Sequence, residues 1–256
     1  MKTDVTIPMP DAAEVGQAGR AFVFTPNSGE GPWPAAILVM DAPAIRPAMF
    51  EMAERLAGAG YFVLLPDVFW RAGPYPPLDI VKARAGDPEM VALFTKLRAS
   101  TNANLQMQDT AVHLDWLARQ PQARAGKVGV TGYCMGGGIA FRAAGTFPDR
   151  IAAAASFHGG NLATDAEDSP HLLANKIQAK VLVAGADEDK GFDEAQCERL
   201  TAALKGAGVD AEVSIWKGAR HGWVPTDMPV YNREAAERHW AELIALFDGV
   251  LKSAAR

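Results

Sequence analysis

Short apolar runs recur along this chain, separated by stretches in which apolar residues return every three or four positions. The runs at 20–25, 36–40, 61–65, 127–131, 151–157, 180–184 and 212–216 read as strands. Several are apolar throughout, as expected for strands covered on both faces of a parallel sheet. The stretches between them read as amphipathic helices. One, at 48–59, is closed by Gly60. Another, at 101–118, places Leu105, Val112 and Trp116 on one face. The last carries Trp240, Leu243, Ile244, Phe247 and Leu251 at spacings of three and four. This alternation predicts an α/β fold with a mostly parallel sheet. Ligands of such sheets bind beyond the carboxyl ends of the strands, so chemistry is sought there. The stretch 67–104 breaks the rhythm with prolines, Trp70 and polar residues, and reads as a lid, a pocket wall or a plain surface insertion.

Composition narrows the class. The chain has 256 residues, with 25 Lys+Arg and 30 Asp+Glu giving a formal charge of −5. That balance, without a basic run, argues against nucleic acid or an anionic membrane as partner. Charged residues at 21% and hydrophobic residues at 49% exclude intrinsic disorder. No repeat or linker divides the sequence, so one domain over 1–256 is expected. Two cysteines, Cys134 and Cys197, make no disulfide framework and suit a reducing compartment. The N-terminus lacks the apolar core of a signal peptide, and no run approaches the ~18 residues of a bilayer span. A cytoplasmic protein is expected.

The sharpest local signal is Gly132-Tyr133-Cys134-Met135-Gly136-Gly137. A β-prone run enters it and a small-residue helix leaves it, the pattern of a nucleophile elbow with cysteine in the usual place of serine. Glycines two positions either side of the nucleophile relieve the sharp turn. The following helix start favours thiolate, and the Met135 amide becomes a candidate oxyanion donor. A buried structural cysteine is the competing reading, and it suits Cys197, which shares a helical stripe with Leu200 and Leu204. The same glycines also resemble the dinucleotide-binding pattern of short-chain dehydrogenases. However, several strands precede them and no Tyr-x-x-x-Lys pair follows.

A cysteine nucleophile needs a base, and the base an orienting acid. His221, just after the last expected strand, is the candidate base. His158 also follows a strand, where it could line the pocket or simply bond within its turn. His113 and His239 fall inside helices and read as surface or packing residues. Asp187 and Asp189 both follow the strand at 180–184, and position alone does not separate them. The order nucleophile, acid, histidine is that of α/β hydrolases. Asp41, at the end of the strand 36–40, is placed to reach the pocket, with the Ala42 amide as second oxyanion donor. No histidine or cysteine pair has ligand spacing, so neither metal nor cofactor is expected.

Together the cysteine elbow, the Gly-Tyr-Phe-Val-Leu-Leu-Pro-Asp run around Pro66 and Gly-Ala-Arg-His-Gly-Trp around His221 resemble the dienelactone hydrolase family over nearly the whole length. The resemblance implies an α/β-hydrolase fold and a Cys/Asp/His triad that opens a lactone through a thioester. Cys134 is then the nucleophile and His221 the base. The strand-to-helix spacing makes Asp189 the acid. The family's acidic residue that activates the thiol falls on Asp41, one methylene shorter than the archetype's glutamate. The archetype's substrate-holding arginine after the histidine is absent from His221-Gly222-Trp223-Val224-Pro225, which leaves Arg46 and Arg71 as possible substitutes. Arg71, Tyr75, His158 and Trp223 are the expected substrate contacts, with Phe69 and Trp70 making the pocket aromatic. The expected substrate is a small-molecule lactone or carboxylic ester, with a neutral ester as the alternative. Outside hydrolysis, the alternatives are a thiol redox sensor using Cys134 and a non-catalytic binding protein on a hydrolase scaffold.

Overall fold

The computed structural model describes residues 1–253, so the last three positions of the expected 1–256 domain lie outside the described residues. Eight strands form one sheet in the order β1-β2-β4-β3-β5-β6-β7-β8. They are β1 (Lys2–Ile7), β2 (Gly19–Phe24), β3 (Ala35–Val39), β4 (Phe62–Pro66), β5 (Val128–Tyr133), β6 (Ile151–Phe157), β7 (Lys180–Ala186) and β8 (Ala211–Trp216). From β4 to β8 every neighbouring pair is parallel, while β2 runs antiparallel to both β1 and β4. β3, β4 and β5 are buried at every position, which is why their sequences lack polar alternation. β1 escaped the sequence pattern for the opposite reason. As an edge strand it is mostly exposed and opens with Lys2, Thr3 and Asp4.

The helices are α1 (Ala12–Val15), α2 (Pro47–Gly58), α3 (Ile80–Arg84), α4 (Pro88–Ala99), α5 (Ala103–Leu117), α6 (Met135–Thr146), α7 (Glu194–Gly206) and α8 (Arg233–Phe247). Arg55 of α2 pairs with Glu237 of α8 and lies 4.9 Å over Trp240. α5 packs on α6, the helix that follows the elbow. The irregular stretch 67–104 is largely helical. Asp79 caps α3 by accepting from the Lys82 amide. Asp87 caps α4 by accepting from the Met90 amide, with Pro88 in its first turn.

Candidate active site

β5 ends at Tyr133, and the chain turns sharply at Cys134 into α6. Cys134 has φ 54° and ψ −118°, a conformation that costs a non-glycine residue strain energy. Glycine spacing makes the turn possible. A Cβ on Gly132 would lie 2.0 Å from the Gly136 carbonyl oxygen, and one on Gly136 would lie 2.5 Å from the carbonyl oxygens of Val39 and Met40. α4, α5, α7 and α8 are each capped by an Asp or Asn side chain, whereas the start of α6 has no side-chain cap. Its unsatisfied N–H groups therefore give partial positive charge to the neighbourhood of the sulfur. Among the described residues, neither the Met135 amide nor the Ala42 amide donates to a protein acceptor. Both residues line the same cavity as Cys134.

His221 lines this cavity and is bonded to Asp189, which does not line it. The imidazole Nδ1 lies 2.6 Å from Asp189 Oδ2, and Asp189 Oδ1 accepts the Gly191 amide at 2.8 Å. Burial alone would raise the Asp189 pKa, but the bonds from His221 and Gly191 hold it below the ordinary carboxylate value. Burial likewise opposes charge on His221, yet Asp189 on one side and the Cys134 sulfur on the other raise its pKa to about 10. Asp187 is turned elsewhere: it accepts the Gly218 amide at 2.9 Å and lies 3.4 Å from the Lys217 ammonium. The two carboxylates left open by the strand pattern thus part company, and Asp189 is the one on the histidine.

His158 lines a second cavity at Cys134 and also bonds to the elbow. With φ 41°, it donates its own amide to Ala184 and accepts the Cys134 N–H on ring Nδ1 at 3.0 Å. Accepting there puts the ring proton on Nε2. Burial, and then the nearby His221 and His239, push its pKa well down, so the ring is neutral. Trp223 is fully buried with its ring 4.9 Å from that of His158, so it packs behind His158 rather than lining the cavity. His113 and His239 are buried packing residues, and His239 Nε2 lies 2.9 Å from the Tyr133 hydroxyl.

Other expected contacts are corrected by the structure. Both Asp41 oxygens bond Arg46, at 2.5 and 2.9 Å, so the carboxylate expected to act on the thiol is committed to an ion pair. Arg46 in turn holds Asp227 at 2.6 and 3.1 Å, which leaves it no free edge for a substrate carboxylate. Arg71 is bound by Asp11 and Asp109 and stacks 4.3 Å over Trp70. The Tyr75 hydroxyl donates to Asp67 at 2.8 Å beneath Arg20. Phe69 and Trp70 are core residues. None of Arg71, Tyr75, Phe69, Trp70 and Trp223 lines the cavities at Cys134.

Two cavities meet at the sulfur, of about 540 and 390 Å³, and Cys134, His221, Ala42 and Phe94 line both. Phe94 and Arg98 of α4 and Arg142 of α6 are among the lining residues that the sequence did not single out. Helical phase carried the signal. Val91, Phe94 and Arg98 fall at i, i+3 and i+7 on α4, and Met135, Gly138, Ile139 and Arg142 repeat the spacing on the helix leaving the elbow.

A profile of the dienelactone hydrolase family matches residues 20–251. The chain belongs to that family. A Synechocystis relative named "Putative carboxymethylenebutenolidase" is 26% identical over 225 residues, covering 87% of this chain and 88% of its own. Among solved structures, a Klebsiella pneumoniae protein named "Putative Dienelactone Hydrolase" superposes with TM-score 0.80 at 24% identity, covering 96% of this chain and 98% of that one. The dienelactone hydrolase of Anabaena variabilis gives TM-score 0.65 at 18% identity, with 98% of each chain covered. These likenesses agree with the observed α/β-hydrolase fold. Family membership makes the protein a hydrolase of the lactone and ester type. No helix among the described residues is long and apolar enough to cross a membrane.

Proposed function

We propose that this dienelactone hydrolase relative cleaves a carboxylic ester or lactone through an acyl-thioester on Cys134. The observation that carries the reading is the 2.6 Å bond from His221 to Asp189 at the cavity that also holds the strained Cys134 elbow. His221, whose raised pKa makes it a strong proton acceptor, takes the thiol proton on Nε2 and holds it while Sγ attacks the carbonyl carbon. The oxyanion that forms is held by the amides of Met135 and Ala42. Collapse breaks the ester C–O bond, and the imidazolium gives its proton to the departing alkoxide. Water, deprotonated by the same imidazole, then attacks the thioester. The acid leaves, and the sulfur recovers the proton from His221. Asp189 keeps the proton on Nδ1, so that Nε2 faces the sulfur as a base. His158 positions the elbow through the Cys134 amide and takes no proton itself.

The test is kcat/KM for a dienelactone beside a neutral aryl ester, with Cys134→Ala as the blank. Turnover of either substrate by the wild type alone is expected. Equal turnover by Cys134→Ala contradicts the mechanism. A variant that stays folded and inert, alongside a wild type that only forms sulfenic acid with peroxide, favours the redox reading instead.

A further inference from the structure

The two cavities at Cys134 differ in chemistry. No Asp or Glu lines the wider one among the described residues, yet Arg98 and Arg142 do. Arg98 makes its hydrogen-bond-length contact with the Met135 sulfur, at 2.7 Å. The acidic neighbour of Arg142 is Asp168 at 4.0 Å, 76% exposed and therefore weakly coupled. This contrasts with Arg46 and Arg71, each saturated by two carboxylates. The buried Thr101 hydroxyl, at the same wall, has no partner among the described residues. Uncompensated guanidinium groups around a cavity attract and orient an anion.

The second cavity is walled by Pro43, Ile80, Ala83, Val91 and Met228. Its buried charge, Asp41, is already neutralised by Arg46, and Arg84, an exposed side chain like Arg98, stands at the rim. Apolar walls with an adaptable Met suit a hydrocarbon arm. One helix builds both sides: Val91 faces the apolar cavity, Arg98 the cationic one, and Phe94 stands between them.

Resting on the ester-hydrolase reading above, we propose that the substrate is amphiphilic, with its scissile carbonyl at Cys134, an anionic arm toward Arg98 and Arg142, and a hydrocarbon arm toward Ile80, Ala83 and Val91. A one-armed ester leaves either the arginines or the apolar wall to water.

The experiment compares kcat/KM in a pH-stat for ethyl acetate, hexyl acetate, ethyl hemisuccinate and two two-armed esters, hexyl hemisuccinate and the hexanoyl ester of glycolate. One two-armed ester should exceed both one-armed esters by about tenfold or more, which is about 1.4 kcal/mol. Arg98→Gln should cut the ratio of the favoured two-armed ester to hexyl acetate by about tenfold. Ala83→Trp, which fills the apolar cavity, should cut the ratio of that ester to ethyl hemisuccinate by a similar factor, about tenfold. Ratios within one variant do not depend on how much of it is folded. Turnover of every ester with no gain for either two-armed compound overturns the proposal and leaves the hydrolase reading standing. So do ratios that neither variant moves. No turnover of any ester above the Cys134→Ala blank overturns both.

Discussion

Replacing Asp189 by asparagine is the most informative single change, because the surrounding bonds dictate how the new side chain must sit. The Gly191 amide points at Oδ1 from 2.8 Å, so that position has to remain an acceptor oxygen. The side-chain nitrogen of the Asp189→Asn variant then falls where Oδ2 was, 2.6 Å from His221 Nδ1, and it can only donate. Nδ1 must become the acceptor, which moves the imidazole proton to Nε2 and points an N–H, not a lone pair, at the Cys134 sulfur. Two losses add. A charge-assisted hydrogen bond contributes about 1.5–3 kcal/mol, and the imidazole must also leave its preferred tautomer before it can act as a base. The same substitution in serine triads lowers kcat about 10⁴-fold. Because Asp189 is only partly buried, a fall of about 10³-fold in kcat/KM is expected, equivalent to about 4 kcal/mol of barrier. The assay is hydrolysis of a neutral aryl ester, with urea unfolding to show that the fold persists. Asp187→Asn is the matched control. It changes an equal charge two residues away but touches Gly218 and Lys217, and about threefold or less is expected from it. Asp189→Asn within threefold of wild type, or Asp187→Asn as damaging as Asp189→Asn, would mean that Asp189 does not set the His221 tautomer.

Other expectations concern the frame of the site. Gly136→Ala drives a Cβ to 2.5 Å from two β3-end carbonyls, so it should destabilise the fold by about 2–3 kcal/mol in urea unfolding; an unchanged midpoint contradicts the close approach of α6 to β3. Arg46→Met strips the buried Asp41 of its partner and should cost about 3–5 kcal/mol. Burial already pushes the Asp41 pKa up despite Arg46. A carboxyl that is harder to ionise when folded binds more protons in the native state, so the Arg46→Met penalty should shrink as the pH is lowered, and a penalty that grows with acid contradicts this. The folded pKa of His221 is raised from 6.5 to about 10. Its contribution to stability is therefore full below 6.5 and is lost as the pH rises through about 10, and the stability difference between wild type and His221→Gln should fall across that window.

The parallel strands were readable because both faces of β3, β4 and β5 are covered, so burial writes itself as an unbroken apolar run. β1 was not, because an edge strand needs only one neighbour and tolerates charge. The elbow was readable for a steric reason: Gly132 and Gly136 mark points where backbone passes within a methyl's width of backbone. Choosing between Asp187 and Asp189 needed coordinates, since two carboxylates at one strand end differ only in where each turns. The pocket wall misled for a related reason. Arg46, Arg71 and Tyr75 resemble free polar groups until Asp227, Asp11, Asp109 and Asp67 are brought to them by the fold. Such partners leave no local trace in the sequence. The phase of α4, by contrast, was already present in Val91, Phe94 and Arg98, and needed only the knowledge that α4 faces the sulfur.

Cys134 carries the mechanism as a covalent nucleophile, and trapping the acyl-enzyme reads that role from the protein itself. The protein is mixed with an aryl ester, quenched in acid within the first turnovers and examined by intact and peptide mass spectrometry. A mass increase equal to the acyl group is expected on the peptide carrying Cys134, with its loss on neutralisation and no such adduct in Cys134→Ala. Steady hydrolysis with no adduct, together with retained turnover in Cys134→Ala, would contradict that role.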